Sequence, residues 1–257
     1  MRAILLDEHG PIESLRLGDF PDPALEPGGC LVRVKAVSLN GFDPMVMRGI
    51  PGLRTPFPMI PGADIAGEIV AVGEGVEGWR AGDRVAVQPN RSDGMMGETL
   101  RGGLCERLFV PAEYLVPVPN AVDDVAAACL PTAYATAYRM LHTRGAIAAG
   151  ERVLILGASG GVGTAAIQLA KRAGCEVIAV TGSPAKVDRL AEIGADHVVD
   201  TSTTDYVRFV IDTYGKPRTR GEGGGVDVCV NYSGGSTWAE CLRPVRRGGR
   251  ILTCGAT

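Results

Sequence analysis

The sequence predicts an α/β protein whose second half forms a doubly wound parallel sheet and whose first half is mostly β. Short β-branched runs separated by glycine and proline fill residues 1 to about 120. From about residue 122, strands alternate with helix-length segments, which is the pattern of a parallel sheet with crossover helices. The 257 residues also exceed the usual size of one domain, ~100–150 residues, so we expect two domains, 1–121 and 122–257.

The strands of the first half are predicted from apolar runs at 4–6, 31–37, 64–73 and 83–87. The run LVRVKAV at 31–37 alternates apolar and basic residues, which is typical of an antiparallel strand with one solvated face. A long helical segment, VDDVAAACLPTAYATAYRMLHT, opens the second half. Asp123 and Asp124 favour a helix N-terminus at its start.

Five strands are predicted in the second half, near residues 152, 176, 197, 226 and 250. The helices between them end on Gly174 and Gly194, and the charged, glycine-rich run at 218–225 is expected to be a mobile loop. A complete doubly wound dinucleotide domain has about six strands. We therefore expect that the last strand is missing and that the chain is a C-terminally truncated form.

Composition argues against several classes of partner. Hydrophobic residues make up 46% of the chain, charged residues 21%, and the net charge is −3, so no basic field attracts nucleic acid. No apolar run approaches the ~18 residues that span a bilayer, and the N-terminus lacks a signal-peptide pattern. The seven scattered cysteines and three histidines lack zinc-ligand spacing. We expect a cytoplasmic protein with reduced thiols, without zinc, that binds neither nucleic acid nor membrane.

The strongest functional motif is a glycine turn between the first predicted strand and helix of the second half. Strand RVLIL runs into GASGGVG at 157–163, and a helix follows. In a Rossmann turn the first glycine permits the tight bend, the second lets the backbone approach the pyrophosphate, and the third lets helix pack on strand. The alternative is a tight βα turn without a ligand. The residues predicted to bind the dinucleotide here are Gly157, Ser159, Gly160, Gly161, Val162 and Gly163.

Residues about 20 positions further along favour NADPH over NADH. Chains that bind NAD place a carboxylate at the end of the second strand, whereas this chain has TGSPAK at 181–186. In this segment Thr181, Ser183 and Lys186 are predicted to contact the cofactor. The hydroxyl of Ser183 and the charge of Lys186 suit a 2′-phosphate, with Arg189 one helical step away. The alternative interpretation of the two cations is a solvated helix face.

These motifs resemble the medium-chain dehydrogenase/reductase family, and within it the quinone oxidoreductase-like branch. The resemblance covers essentially the whole chain. It is carried by VKAVSLNGFDPMVMRG, PFPMIPGADIAGEIVAVGEGVEGWRAGDRV and GGLCERLFVPAEYLVPVP in the first half, and by GASGGVGTAAIQLAKRAG, EIGADHVVD and GGRILTCG in the second. It implies a GroES-like first domain, an active site between the domains, and a sheet-edge homodimer for a full-length form.

The resemblance also implies a zinc-free reaction. Zinc alcohol dehydrogenases of the family place a cysteine ligand where this chain has Leu39-Asn40, and a histidine-glutamate pair where it has Ala63-Asp64. The four-cysteine structural lobe has no counterpart before Cys105 either. Without a Lewis acid to stabilise an alkoxide, hydride addition to an activated double bond is favoured. The expected substrates are quinones or α,β-unsaturated carbonyls.

The catalytic candidates implied by the resemblance are Asn40, Asp43 and Thr136. Asn40 and Asp43 match the family's N-x-x-D element beside the nicotinamide pocket, and the Asn40 amide can donate to a carbonyl oxygen. The alternative is that both residues hold their loop by local hydrogen bonds. Thr136 lies in the family's T-A-Y helix start, and Gly255 belongs to the nicotinamide side of the cofactor site.

Further observations leave the function open. Tyr134 and Tyr138 are weaker candidates than Thr136, since aromatic residues in such helices are more often core. Thr201 stands where some relatives place a tyrosine over the 2′-phosphate, which weakens the NADPH prediction. Two other functions therefore stay open beside the NADPH-dependent reductase: a zinc-free alcohol or carbonyl dehydrogenase, and a dinucleotide-binding protein without turnover.

Overall fold

The computed structural model describes residues 1–218, 220 and 223–255. The chain divides into two units, Met1–Thr132 and Ala133–Thr257. This division lies later than the expected boundary at 121/122. The reason is that the segment after residue 122 packs on the first unit: Ala127 and Ala128 are buried against Ala66.

The first unit is built mainly from antiparallel strands. They are β1 (Arg2–Leu6), β2 (Leu15–Asp19), β3 (Gly29–Ser38), β4 (Asp64–Val72), β5 (Arg84–Val87), β6 (Asn90–Arg91), β7 (Gly94–Met95), β8 (Arg107–Pro111) and β9 (Leu115–Pro117). Five form one sheet in the order β8-β3-β4-β5-β9, while β1 pairs with β2 and β6 with β7. The prediction of an antiparallel strand at 31–37 is confirmed, because β3 pairs antiparallel with both neighbours.

Helical turns in the first unit are short. They are α1 (Asp43–Arg48), α2 (Asp124–Ala128) and 3-10 turns at Ile12–Ser14 and Ala112–Tyr114. The predicted start of α2 is confirmed, since the Asp123 carboxylate accepts the Ala126 N–H at 2.7 Å. The predicted helical segment is confirmed beyond α2, although its type changes: a π-helical turn, Leu130–Tyr134, follows. Pro131 lies in this turn and has no N–H to continue the α-helical ladder.

The second unit contains a parallel sheet with helices between its strands. The strands are β10 (Arg152–Leu156), β11 (Glu176–Thr181), β12 (His197–Asp200), β13 (Val226–Asn231) and β14 (Val245–Leu252). The helices are α3 (Ala135–Tyr138), α4 (Gly161–Arg172), α5 (Val187–Glu192), α6 (Tyr206–Tyr214) and α7 (Thr237–Cys241), with a π-type turn at Arg139–Arg144 and a 3-10 turn at Pro184–Lys186. All five predicted strands are present, although β14 begins earlier than expected, at Val245.

Both faces of the parallel sheet are covered. Val153 and Ile155 of β10 belong to one buried cluster, while Leu154 and Leu156 belong to another. Burial of successive residues on opposite faces requires helices on both sides, which confirms the doubly wound prediction. The strand order is β12-β11-β10-β13-β14, so the chain reverses its direction of travel between β10 and β13.

Of the loop predicted at 218–225, Thr219, Gly221 and Glu222 lie outside the described residues, as do Ala256 and Thr257. The described residues on either side have no regular secondary structure up to β13. Among the helices that the structure describes, none is long and apolar enough to cross a bilayer.

Candidate functional site

The glycine turn lies at the carboxyl end of β10, beside the point where the strand order reverses. Ligands of open parallel sheets bind in the crevice at this point. Gly157 ends the strand with φ of +68°, a backbone conformation that a side chain disfavours. Its carbonyl accepts the Gly160 N–H at 3.1 Å, which closes the turn before α4 begins.

The N-terminus of α4 presents backbone donors to this crevice. The helix has 12 residues, its N-cap is Gly160, and within the described chain no side chain caps it. The first-turn N–H groups of Gly161, Val162 and Gly163 have no partner within the helix. A Cβ at Gly160 would meet its nearest neighbour, the Gly157 carbonyl oxygen, only at 3.6 Å, so the backbone there is open. This arrangement fits a pyrophosphate.

Gly163 shows the opposite environment. A Cβ at this position would overlap the Tyr232 hydroxyl and lie 2.6 Å from the Ala158 carbonyl oxygen. The absence of a side chain is therefore what allows α4 to pack this closely on the turn. Gly160 thus leaves the backbone accessible to a ligand, whereas Gly163 allows α4 to pack against the turn.

The residues beyond β11 approach the same turn. Lys186 Nζ lies 3.4 Å from Ser159 Oγ, so the structure brings two of the predicted cofactor residues together. Thr181 is buried at the end of β11, and its Oγ1 accepts the Ser183 N–H at 3.3 Å. Thr181 therefore shapes the turn that carries Ser183 and Lys186. Thr201 contacts this strand end through its hydroxyl, 3.3 Å from the Thr181 carbonyl oxygen.

Arg189 lies apart from the turn. It forms an ion pair with Glu192 at 3.0 Å, and its side chain is 77% exposed. This is the solvated helix face that the sequence leaves open as an alternative. The Lys186 ammonium differs from it, because its hydrogen bond to Ser159 directs it towards the turn.

The second unit contains four further candidates. Thr136 is the second residue of α3 and is half-buried, while Tyr134 packs against the main core. Tyr138 is 56% exposed and its ring lies 4.6 Å from that of His142. Gly255 follows β14 with φ of +75°. None of these positions is brought against the glycine turn by a hydrogen bond among the described residues.

In the first unit, Asn40 and Asp43 belong to a buried hydrogen-bond cluster. The Asp43 carboxylate accepts the Asn40 N–H at 2.5 Å, which fixes the loop before α1. The Asn40 side-chain amide donates to Asp64 Oδ2 at 3.1 Å. Asp64, the first residue of β4, also accepts the Thr132 N–H at 3.1 Å and the Thr132 hydroxyl at 2.6 Å.

Burial sets the electrostatics of this cluster. Asp64 is fully buried, and burial raises the pKa of its carboxyl above the usual value, although hydrogen bonds from Thr132 and Asn40 oppose the shift. Burial likewise raises the pKa of Asp43, with the Asn40 N–H opposing it and the nearby Asp64 charge adding to it. Two buried carboxyls therefore lie close enough to interact, and both depend on hydrogen-bond donors to stabilise their charged forms.

Two members of this cluster are not predicted from the sequence. Asp64 stands out there only as a lost zinc-ligand position, and its signal is a carboxylate directly before the apolar run Ile65–Ala66. Thr132 carries no signal, because its partner lies 68 residues away along the chain. Within the described residues, no group of three or more His, Cys, Asp or Glu side chains is arranged to hold a metal ion.

Comparison with known proteins identifies the family. Residues 26–120 match the alcohol dehydrogenase GroES-like domain, and residues 161–257 match the zinc-binding dehydrogenase domain. Quinone oxidoreductase of Rattus norvegicus is 31% identical over 256 residues, which cover 99% of this chain and 73% of the rat protein. The chain belongs to the medium-chain dehydrogenase/reductase family. The predicted family and the GroES-like first domain are thereby confirmed.

Two further proteins are also similar to this chain. The synaptic vesicle membrane protein VAT-1 homolog of Homo sapiens is 34% identical over 257 residues, which cover 99% of this chain and 61% of that protein. The chain thus spans about three fifths of that relative's length. A solved NAD-dependent alcohol dehydrogenase superposes with a TM-score of 0.89 at 33% identity, covering 98% of this chain and 76% of the other.

Proposed function

We propose that this protein is an NADPH-dependent oxidoreductase that reduces quinones or α,β-unsaturated carbonyls by hydride transfer without zinc. The observation that carries the proposal is the glycine turn on the uncapped N-terminus of α4, with Lys186 and Ser159 beside it. When bound, NADPH supplies the hydride from its nicotinamide ring. Similarity to rat quinone oxidoreductase supports the choice of substrate class.

The preference for NADPH rests on charge at the end of β11. The segment 181–186 contains no carboxylate to accept the hydrogen bonds of a ribose 2′-OH. The Lys186 ammonium and the Ser159 hydroxyl instead form a pair of donors, 3.4 Å apart. Such a pair suits the 2′-phosphate that distinguishes NADPH from NADH.

Asn40 is the proposed donor to the substrate carbonyl, and Asp64 orients it. An ionised carboxylate accepts hydrogen bonds but donates none, so Asp64 is matched by an N–H of the Asn40 amide and not by its oxygen. The second N–H of that amide is then left to donate to a carbonyl oxygen on which negative charge develops during hydride addition. Asn40 can therefore hold its loop through Asp64 and contact the substrate with the same side-chain amide.

The zinc-free part of the proposal rests on side-chain chemistry. Ala63 has no ligand atom, and the Asn40 amide is engaged with Asp64. A purified sample should contain less than about one-tenth equivalent of zinc, and a chelator should leave its activity unchanged. Stoichiometric zinc whose removal abolishes turnover would contradict this part alone.

Other features belong to the same proposal. All seven cysteines lie in the described residues and are free thiols, which supports a cytoplasmic location. We expect a homodimer for a full-length form. An alcohol or carbonyl dehydrogenase is the second candidate, because the superposed NAD-dependent alcohol dehydrogenase has the same fold.

The test is a pair of titrations followed by a substrate panel. Intrinsic fluorescence of Trp79 and Trp238 reports NADPH and NADH binding, and NADPH oxidation is then followed with quinones, enones and aldehydes. We expect NADPH to bind about tenfold more tightly than NADH, corresponding to ~1.4 kcal/mol, and quinones or enones to be reduced. Tight binding without turnover on any substrate would instead identify a dinucleotide-binding protein. Preference for aldehydes would identify the second candidate.

A further inference from the structure

Tyr232, which no sequence motif singles out, reaches the glycine turn from the neighbouring strand. It follows β13 directly, and its hydroxyl donates to the Gly157 carbonyl oxygen at 2.6 Å. Gly157 and Tyr232 lie 75 residues apart in the chain. The contact therefore links the two strands, β10 and β13, between which the strand order reverses.

The same hydroxyl contacts the far end of the turn. It lies where a Cβ of residue 163 would be, so Gly163 leaves the space that the hydroxyl fills. Gly157 is covered from the same side, because a Cβ there would lie 3.2 Å from the Tyr232 ring. One phenol group thus packs against the first and the third glycine of the turn at once.

The Gly157 carbonyl has both of its acceptor positions occupied by these contacts. One is taken by the Gly160 N–H at 3.1 Å, which closes the turn, and the other by Tyr232. Burial raises the pKa of Tyr232, so its phenol stays neutral and keeps its proton for donation. Two hydrogen bonds, from Gly160 and from Tyr232, therefore fix the orientation of the Gly157 carbonyl.

Tyr232 is itself held by a hydrogen-bonded loop. Asn231 is fully buried, and its side-chain oxygen accepts the N–H groups of Ser233 at 3.1 Å and Gly234 at 3.3 Å. The Asn231 amide also donates to the Thr237 hydroxyl at 3.2 Å. A backbone fixed on both sides of Tyr232 keeps its ring in place without a ligand.

We infer that Tyr232 is a positioning residue of the dinucleotide site, whose hydroxyl holds the glycine turn in the conformation that receives the pyrophosphate. The inference rests on the proposed function, namely that this turn binds a nicotinamide dinucleotide. NADPH and NADH share the pyrophosphate and differ at the 2′-position. Loss of the Tyr232 hydroxyl must therefore lower the affinities for both cofactors equally, whereas a change at Lys186 lowers the affinity for NADPH selectively.

The test compares two tyrosine-to-phenylalanine variants of the full 257-residue chain. Tyr232→Phe removes the hydroxyl below the turn. Tyr214→Phe is the matched control. The Tyr214 hydroxyl donates to Glu176 Oε1 at 2.6 Å, and Glu176 is the first residue of β11, so this bond lies at the amino ends of the strands, opposite the glycine turn. Dissociation constants for NADPH and NADH are measured by isothermal titration calorimetry, and unfolding in urea is followed for each variant.

Tyr232→Phe is expected to weaken NADPH and NADH by the same factor, about 5–10-fold, which is the effect of one lost hydrogen bond on a preorganised site. Tyr214→Phe is expected to lose similar stability and to keep both affinities. Unchanged affinity in Tyr232→Phe, or an equal loss of affinity in Tyr214→Phe, would overturn the inference while leaving the proposed function intact. If the unmodified chain binds neither dinucleotide, the proposed function fails first and the inference fails with it.

Discussion

The two units build their candidate sites from different materials. In the second unit, the turn at 157–163 offers backbone N–H groups. Four of its seven residues are glycine, and at Gly163 a side chain would overlap neighbouring atoms. In the first unit, the cluster around Asp64 consists of side chains that hydrogen-bond to one another in a buried pocket. A backbone site depends on excluded volume, whereas a side-chain site depends on charge and hydrogen bonding.

This difference predicts which changes each site tolerates. An added methyl group is decisive where backbone atoms are in contact, because backbone cannot move aside as a flexible side chain can. A lost hydrogen-bond acceptor is decisive where donors are buried, because they then have no partner. We therefore expect the largest effects from added volume at the turn and from a lost acceptor in the cluster, and the smallest from a surface charge.

Gly163→Ala should have the largest effect on cofactor binding, since its Cβ would meet the Ala158 carbonyl oxygen at 2.6 Å and displace the Tyr232 hydroxyl. We expect a loss of about 1–3 kcal/mol in the free energy of unfolding and of about 100-fold in NADPH affinity, measured by urea unfolding and calorimetry. Gly160→Ala is the control. Its Cβ is 3.6 Å from the nearest atom, so its stability should match that of the parent protein, with only the affinity lowered. A normally stable Gly163→Ala protein would contradict the excluded-volume argument.

Asp64→Ala should be the most damaging change in the first unit. It leaves the Asn40 amide, the Thr132 N–H and the Thr132 hydroxyl as half-buried donors without their acceptor. We expect the free energy of unfolding to fall by about 3 kcal/mol, and by about 2 kcal/mol for Thr132→Val, which removes a single donor. Urea titrations of both variants measure this. Equal stability of all three proteins would show that the cluster is solvated in solution.

The contributions of Asp64 in the first unit and Asp227 in the second unit to stability should depend on pH with opposite sign. Burial raises the folded-state pKa of Asp64, so below 3.8 the carboxyl is neutral in both states, and stability is lost as pH rises through the folded pKa. This loss should be absent in Asp64→Asn, whose amide does not ionise. Comparing urea unfolding of the two proteins from acid to neutral pH isolates the effect.

Asp227 in the second unit provides the control of opposite sign. Burial opposes its ionisation, but hydrogen bonds from the Arg152 N–H and from Arg246 outweigh it, so its pKa is lowered. The stability it contributes is present above 3.8 and is lost as pH falls through the folded pKa. Asp227→Asn should therefore be destabilised relative to the parent protein mainly at neutral pH. Parallel pH profiles for the two Asn variants would disprove the contrast between the units.

Lys186→Ala should have the smallest effect and the most selective one. Removing the ammonium beside Ser159 should weaken NADPH about tenfold and leave NADH unchanged, because NADH lacks the 2′-phosphate. Arg189→Ala is the matched control, since that guanidinium pairs with Glu192 on the solvated face. Calorimetric titration of both variants with both cofactors measures the selectivity. Equal weakening of NADH would assign Lys186 to the pyrophosphate instead.

The contrast between the units also explains which parts of the site are predictable. The glycine turn is contiguous in sequence, so its spacing alone indicates strand, turn and helix in order. The sequence does not predict that Thr181 is buried and accepts a hydrogen bond from the Ser183 N–H, because burial of one side chain depends on its neighbours in space. The change from α- to π-helical geometry after Ala128 lies beside Pro131, which lacks an N–H, whereas the apolar pattern of the segment indicates only that it is helical.

The sequence by itself determined the fold class, the five strands of the parallel sheet, the glycine turn and the family to which the chain belongs. These features depend on local periodicity and on residue types at short spacing, which a linear sequence displays. Only the tertiary structure decided that Asp64 joins Asn40 to Thr132, and that Tyr232 closes the turn below Gly157. The physical reason is that a hydrogen bond between side chains is set by distance in space, and the chain separations of 68 and 75 residues leave no local trace of it.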